Sequence, residues 1–109
     1  MTEPLADPLW RNATDLCCDL QRGTIAATTL MENVYARIAA LNPRLNALVD
    51  LMPQEQAMAL AATADAVPIA ERGPLHGLPR APKDAVAVKG FSTSWGYRGF
   101  SENVGAQDD

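Results

Sequence analysis

The stretch Gly73-Pro74-Leu75-His76-Gly77-Leu78-Pro79-Arg80-Ala81-Pro82-Lys83-Asp84 packs prolines and glycines ahead of a lysine–aspartate pair. Counting Pro68 just upstream, four of the chain's eight prolines fall between Pro68 and Pro82. Proline removes a backbone donor and clashes with the preceding turn, so helix cannot persist through this region. Gly73 and Gly77 are expected to be turn glycines, supplying backbone angles that other residues avoid. His76 is the only histidine, and one imidazole without clustered partners makes no metal site. It is read as a loop residue.

Downstream, Val86, Val88 and Phe91 around Lys89 and Gly90 suggest a short extended piece, and Ser92 to Gly105 reads as glycine- and serine-rich loop. Upstream, the pattern is helical. Asn12 to Gln21 suits a short helix with Asn12 as N-cap, Asp15 as first-turn acid and Gly23 as stop. From Ile25 to Leu41 the apolar residues Leu30, Val34, Ile38 and Leu41 follow the spacing of one buried stripe. Pro43 should force Asn42 out of helical geometry and turn the chain there. The apolar run Ala47 to Leu51 then reads as a short strand or extended segment. Pro53 fits a first helical position before the alanine-rich stretch Gln54 to Ala66. Three helices followed by extended, glycine-rich chain are the opening of a mixed α/β fold, not a finished small one.

Apolar residues make up 48% of the 109-residue chain and charged residues 20%, a balance that calls for a packed core. Nine Lys plus Arg against thirteen Asp plus Glu leave a net charge of −4. There is no basic stripe to neutralise phosphates, so direct nucleic-acid binding is not expected. Met1 to Trp10 carries acids and prolines in place of a basic leader, and no stretch approaches membrane-spanning length. A soluble, cytoplasmic protein without membrane partners is the expectation. Cys17 and Cys18 are adjacent, and a bond between neighbours closes no useful loop. Both are read as free thiols packing on a helix face, with no catalytic role.

Two blocks resemble the amidase-signature family, serine hydrolases that cleave carbon–nitrogen bonds of amides. Arg37-Ile38-Ala39-Ala40-Leu41-Asn42-Pro43-Arg44-Leu45-Asn46-Ala47 is similar to the family's "RI…LNPxLNA" stretch, and Gly73 to Asp84 is similar to its far more specific "GPLxGxPxxxKD" block. Gly90-Phe91-Ser92-Thr93-Ser94-Trp95-Gly96 continues the match in order and spacing, with Asp108 near the place of a usual acid. The resemblance implies the N-terminal helices and first strands of a mixed-sheet α/β/α fold, incomplete in this chain. Residues 1–109 would be the N-terminal part of a single amidase domain, ending before the glycine- and serine-rich signature. Apolar surface around Ala47 to Leu51 and Ala85 to Phe91 should then stand exposed.

The resemblance also implies a Ser–cis-Ser–Lys triad acting on a small-molecule amide, without cofactor or metal. Lys83 occupies the lysine position and is the one catalytic residue carried here. It can act as a base only when burial lowers the affinity of its amine for a proton. Ser92, Ser94 and Ser101 lack the glycine-rich setting that shapes an oxyanion hole and are not candidates. Asp84 is read as structural, since neighbours on a strand point to opposite faces. Two departures stand out: Pro82 where an aliphatic residue usually precedes the lysine, and Tyr97-Arg98 where a small serine commonly follows the glycine. The substrate-binding residues are not legible, and a homo-oligomer is neither required nor excluded. Two other functions are compatible with the resemblance: the glutaminase component of a tRNA-dependent amidotransferase, and a non-catalytic homologue serving as a helical interaction module.

Overall fold

The computed structural model describes residues 7–109, so most of the acidic, proline-bearing opening lies outside the described residues. Three α-helices are present: α1 (Ala13–Arg22), α2 (Ala27–Leu45) and α3 (Gln54–Ala66), with single 3₁₀ turns at Pro8–Trp10, Ile69–Glu71 and Arg98–Phe100. The chain divides into two compact units. One comprises residues 7–45 with Met52–Pro79; the other comprises Asn46–Leu51 with Arg80–Asp109.

The first unit is helical and holds the hydrophobic core. The Asn12 side chain accepts a hydrogen bond from the Asp15 N–H at 2.9 Å, and Gly23 closes α1 in the left-handed region at φ 76°, both as the sequence suggested. α1 buries Leu16 and Leu20, and α2 buries Ala27, Leu30 and Tyr35. α3 presents Ala57 and Ala61, small residues that let it pack closely on α2. Leu16, Leu20, Ala27, Leu30 and Ala61 form one cluster, with Leu9, Ile25, Met31, Ala64 and Leu78 packed against it. Leu20 and Leu30 are each only 1% exposed, and burying such a side chain contributes about 1.5–3 kcal/mol. The expected stripe on α2 fades along the helix: Leu30 is buried, Val34 and Ile38 are half-buried, and Leu41 is exposed.

Polar side chains join the helix ends of this unit. Asp65 at the end of α3 accepts hydrogen bonds from the Ala27 and Thr28 N–H groups and from the Thr28 hydroxyl at the start of α2. Arg72 donates from its guanidinium to the carbonyls of Val67, Leu20 and Asp65, each at 2.9 Å. It thereby adds a donor to carbonyls near the C-terminal ends of α1 and α3, among them the Leu20 carbonyl that also accepts the Gly23 N–H at 3.2 Å. The Tyr35 hydroxyl donates to the Met52 carbonyl at 2.5 Å, and burial raises the phenol's pKa above its ordinary value.

Three expectations are corrected. Pro43 does not turn the chain but lies inside α2, which continues to Leu45. It falls in the last turn, where one missing donor costs a helix already anchored upstream little, and the chain leaves at Asn46 with φ 49°. Pro53 is the N-cap of α3, one place before the first helical position. The extended pieces at Ala47 to Leu51 and Val86 to Phe91 form no strand; the second unit has only the isolated bridges Lys89 with Gly105 and Ser92 with Val104. Turns take up the backbone groups a ladder would need. The N–H groups of Ala85 and Val86 both donate to the Lys83 carbonyl, and that of Phe91 donates to Val88. The described chain is therefore helical with almost no strand, and it fits the expected α/β class only coarsely.

Candidate functional site

Lys83 lies in the second unit, in an irregular stretch that opens at Arg80, and its side chain is exposed. The Gly73–Asp84 block thus spans both units, its first seven residues belonging to the helical one. Within those seven, Gly77 has φ 74°, and a Cβ there would meet the Ala27 Cβ at 3.2 Å and Leu20 Cδ2 at 3.4 Å. Gly77 is a required glycine on both counts. Gly73 has no left-handed angle and nothing near its missing Cβ, so the expectation of a special backbone there is corrected. His76 is a loop residue whose Nε2 lies 2.7 Å from the Ala64 carbonyl, to which it donates when it carries the proton. Leu78 packs against the core, so the loop is fixed from both sides of Gly77.

The backbone at Lys83 is held by its neighbours. Its carbonyl accepts from the Ala85 and Val86 N–H groups at 2.7 and 3.0 Å. Asp84 follows in a turn rather than a strand, so the alternation expected between Lys83 and Asp84 does not apply, although Asp84 is structural as expected. Its carboxylate accepts from the Ser94 N–H at 2.8 Å and from the Ser94 hydroxyl, while its carbonyl accepts from the Trp95 N–H at 3.0 Å. Hydrogen bonds from Ser94, side chain first, together with the nearby Lys83 charge, hold the Asp84 carboxyl below the usual carboxylate range. Trp95 and Gly96 follow with φ 58° and 76°.

Two of the nearby serines have their hydroxyls in hydrogen bonds within the unit. The Ser94 hydroxyl donates to Asp84 and accepts from the Gly96 N–H at 3.2 Å; the Ser92 hydroxyl donates to the Ser101 carbonyl at 3.0 Å. Ser92, Ser94 and Ser101 line, with Val49 and Asp50, an open cleft of about 240 Å³, below the usual size of a small-molecule site. Asp108 is engaged as well, accepting from the Lys89 N–H at 2.7 Å. Thr93, 6% exposed, has a hydroxyl oxygen without a hydrogen-bond partner. Among the described residues no group of three or more His, Cys, Asp or Glu is placed to hold a metal ion, and no helix is long and apolar enough to cross a membrane. Cys17 and Cys18 are both free; Cys17 is half-buried but Cys18 is exposed, so Cys18 is not the packing residue expected.

Sequence reasoning passed over Ser94 as a structural partner of Asp84. A serine ten residues downstream of an acid carries no local signal for that pairing. The apolar exposure expected around Ala47 to Leu51 and Ala85 to Phe91 is found only in part: Val49, Leu51 and Val86 are open to solvent, but Ala85, Ala87, Val88 and Phe91 are half-buried, and Trp10, Leu60 and Trp95 are exposed outside those segments.

Residues 29–109 match the amidase family. The chain is 37% identical over 84 residues to a glutamyl-tRNA(Gln) amidotransferase component of Lysinibacillus sphaericus, covering 77% of this chain and 17% of that protein. It is 35% identical over 99 residues to the corresponding component of Methylococcus capsulatus, covering 90% of this chain and 20% of that one. It is also 28% identical over 96 residues to an acylamidase of Rhodococcus erythropolis, covering 87% and 20%. The chain thus spans about a fifth of the length of these curated relatives.

Proposed function

The chain belongs to the amidase family, and from that membership we propose that it supplies the lysine base of an amide-cleaving hydrolase. Lys83 is the residue in that role, and the two serines of the triad come from outside these 109 residues. The observation that carries the reading is the Gly73–Asp84 block, which lies within the matched residues and sets Lys83 at the family's lysine position; the Lys83 side chain is exposed, while its carbonyl and the adjoining Asp84 are pinned by hydrogen bonds. An amine on a fixed backbone and open to solvent here is available to a partner surface that would desolvate it.

In the proposed reaction one serine hydroxyl attacks the amide carbonyl. Its proton passes through the second serine to the neutral Lys83 amine. Collapse of the tetrahedral intermediate breaks the carbon–nitrogen bond, and the proton returns from the Lys83 ammonium to the leaving nitrogen. Water then attacks the acyl ester by the same route, releasing the acid and restoring the serine. The 109-residue chain alone has the base without nucleophile or relay, and it is inactive on this account.

Similarity to two amidotransferase components at 35–37% identity favours one specific form of this reading, in which the amide cleaved is that of glutamine within an amidotransferase. The test is hydrolysis by the longest polypeptide in which this sequence is translated. Amide cleavage lost on Lys83→Ala, with the fold retained, is the expected result; cleavage that survives Lys83→Ala overturns the reading.

A further inference from the structure

The hydrogen bonds around Lys83 converge on its neighbour. Asp84 is bound at three points to one short segment: carboxylate to the Ser94 N–H, carboxylate to the Ser94 hydroxyl, and carbonyl to the Trp95 N–H. The segment has little freedom of its own. The Ser94 hydroxyl also accepts from the Gly96 N–H, and the Tyr97 N–H donates to the Ser94 carbonyl at 2.9 Å. Trp95 sits at φ 58°, a left-handed conformation costly for a bulky residue, with its side chain 69% exposed. Packing of the indole therefore does not hold this angle; the hydrogen bonds to Asp84 and within the turn do. On the other side of Asp84, the two N–H groups that follow it close on the Lys83 carbonyl.

We propose that Asp84 is a positioning residue for Lys83, fastening the lysine's turn to the Ser94–Gly96 turn through the two hydrogen bonds that Ser94 donates to its carboxylate. The inference rests on the reading of Lys83 as the catalytic base. Pro82 sharpens the need for such a fastening. A proline before the lysine donates no backbone hydrogen bond, so a ladder cannot fix the lysine from its N-terminal side. Asp84 fixes it from the C-terminal side instead. The arrangement also gives Ser94 a structural role: its hydroxyl donates to Asp84. Charge enters in a second way. Lys83 contributes to holding the Asp84 carboxyl ionised below the usual range, after the hydrogen bonds from Ser94.

The experiment has two arms. The first uses the chain as it stands, in which Lys83 and Lys89 are the only lysines. The side-chain signals of lysine labelled with ¹³C and ¹⁵N are followed from pH 2 to 7, with Lys89→Arg assigning Lys83. The Lys83 signal should report the ionisation of Asp84 at a pH below the reference of about 3.9. That inflection should vanish in Asp84→Asn, move upward in Ser94→Ala and return in Ser94→Thr, which keeps the hydroxyl. An inflection unmoved by Ser94→Ala overturns the pairing on which the proposal stands.

The second arm uses the longest translated polypeptide and amide hydrolysis. Asp84→Asn and Ser94→Ala should each lower kcat by about tenfold or more with KM little changed, as misplacement of a catalytic group does. The double variant should be no worse than the singles, because both break one connection, and Ser94→Thr should recover kcat. Wild-type kcat in Asp84→Asn, in a protein that Lys83→Ala inactivates, overturns the positioning role alone. Activity retained in Lys83→Ala overturns the hydrolase reading, and the positioning role with it.

Discussion

Asp65 and Thr28 join the C-terminal end of α3 to the first turn of α2: the Thr28 N–H donates to the Asp65 carboxylate at 3.1 Å and the Thr28 hydroxyl donates to it at 2.8 Å. The same carboxylate takes the Ala27 N–H at 2.6 Å, so it caps α2 from another helix.

Removing that cap should loosen the helical unit. Asp65→Ala leaves two backbone donors and a hydroxyl without their acceptor and should cost about 1 kcal/mol, up to about 2. Burial raises the Asp65 pKa, but the hydrogen bonds from Thr28 and Ala27 and the Arg72 charge outweigh it, leaving the folded-state value below the ordinary one. A depressed folded value means that the stabilisation is complete above the unfolded pKa of about 3.9 and is lost as pH falls through the folded value. Thermal melts at pH 7 and in acid below 3.9 should therefore show the variant's deficit shrinking in acid. A deficit independent of pH would contradict the cap.

Gly77 and Gly73 should respond differently to the same substitution. Gly77→Ala places a Cβ against Ala27 and Leu20 in a left-handed backbone and should destabilise by about 1 kcal/mol or more. Gly73→Ala meets nothing and should be close to neutral. Paired denaturant titrations check the contrast, and equal effects would count against it.

The core should be concentrated in α1 and α2. Leu20→Ala and Leu30→Ala remove fully buried side chains and should each cost about 2–5 kcal/mol. Leu60→Ala, on the exposed side of α3, should cost far less. Denaturant midpoints of the three variants check the ranking, and a Leu60→Ala loss as large as the other two would contradict it.

Much of the helical unit is legible in the sequence because its signals are local. Asn12, Gly23 and the Gln54–Ala66 composition mark helix ends and interiors through neighbours within one turn. Pro43 misleads for the same reason: a local rule places a helix end before proline, whereas packing of Leu30 and Tyr35 upstream carries α2 through it. Asp65, Arg72 and Ser94 act across 37, 52 and 10 positions of chain, and nothing in their immediate sequence reports their partners. The extended pieces expected at Ala47 to Leu51 and Val86 to Phe91 have the composition of strands, but a strand is defined by a partner, and the pairing there stops at the isolated bridge of Lys89 with Gly105. Lys83 stands out by its motif alone, since exposure by itself marks an ordinary lysine.

The central claim is that Lys83 accepts a proton, and Lys83→Arg tests it most directly. Arginine keeps the positive charge and nearly the length of the side chain but stays protonated, so it cannot serve as the base. In the longest translated polypeptide, the account predicts that Lys83→Arg and Lys83→Ala both lower kcat for amide hydrolysis by about 10²- to 10⁴-fold while the protein remains folded. Activity preserved with arginine at position 83 and lost with alanine would make Lys83 a structural charge and contradict the mechanism.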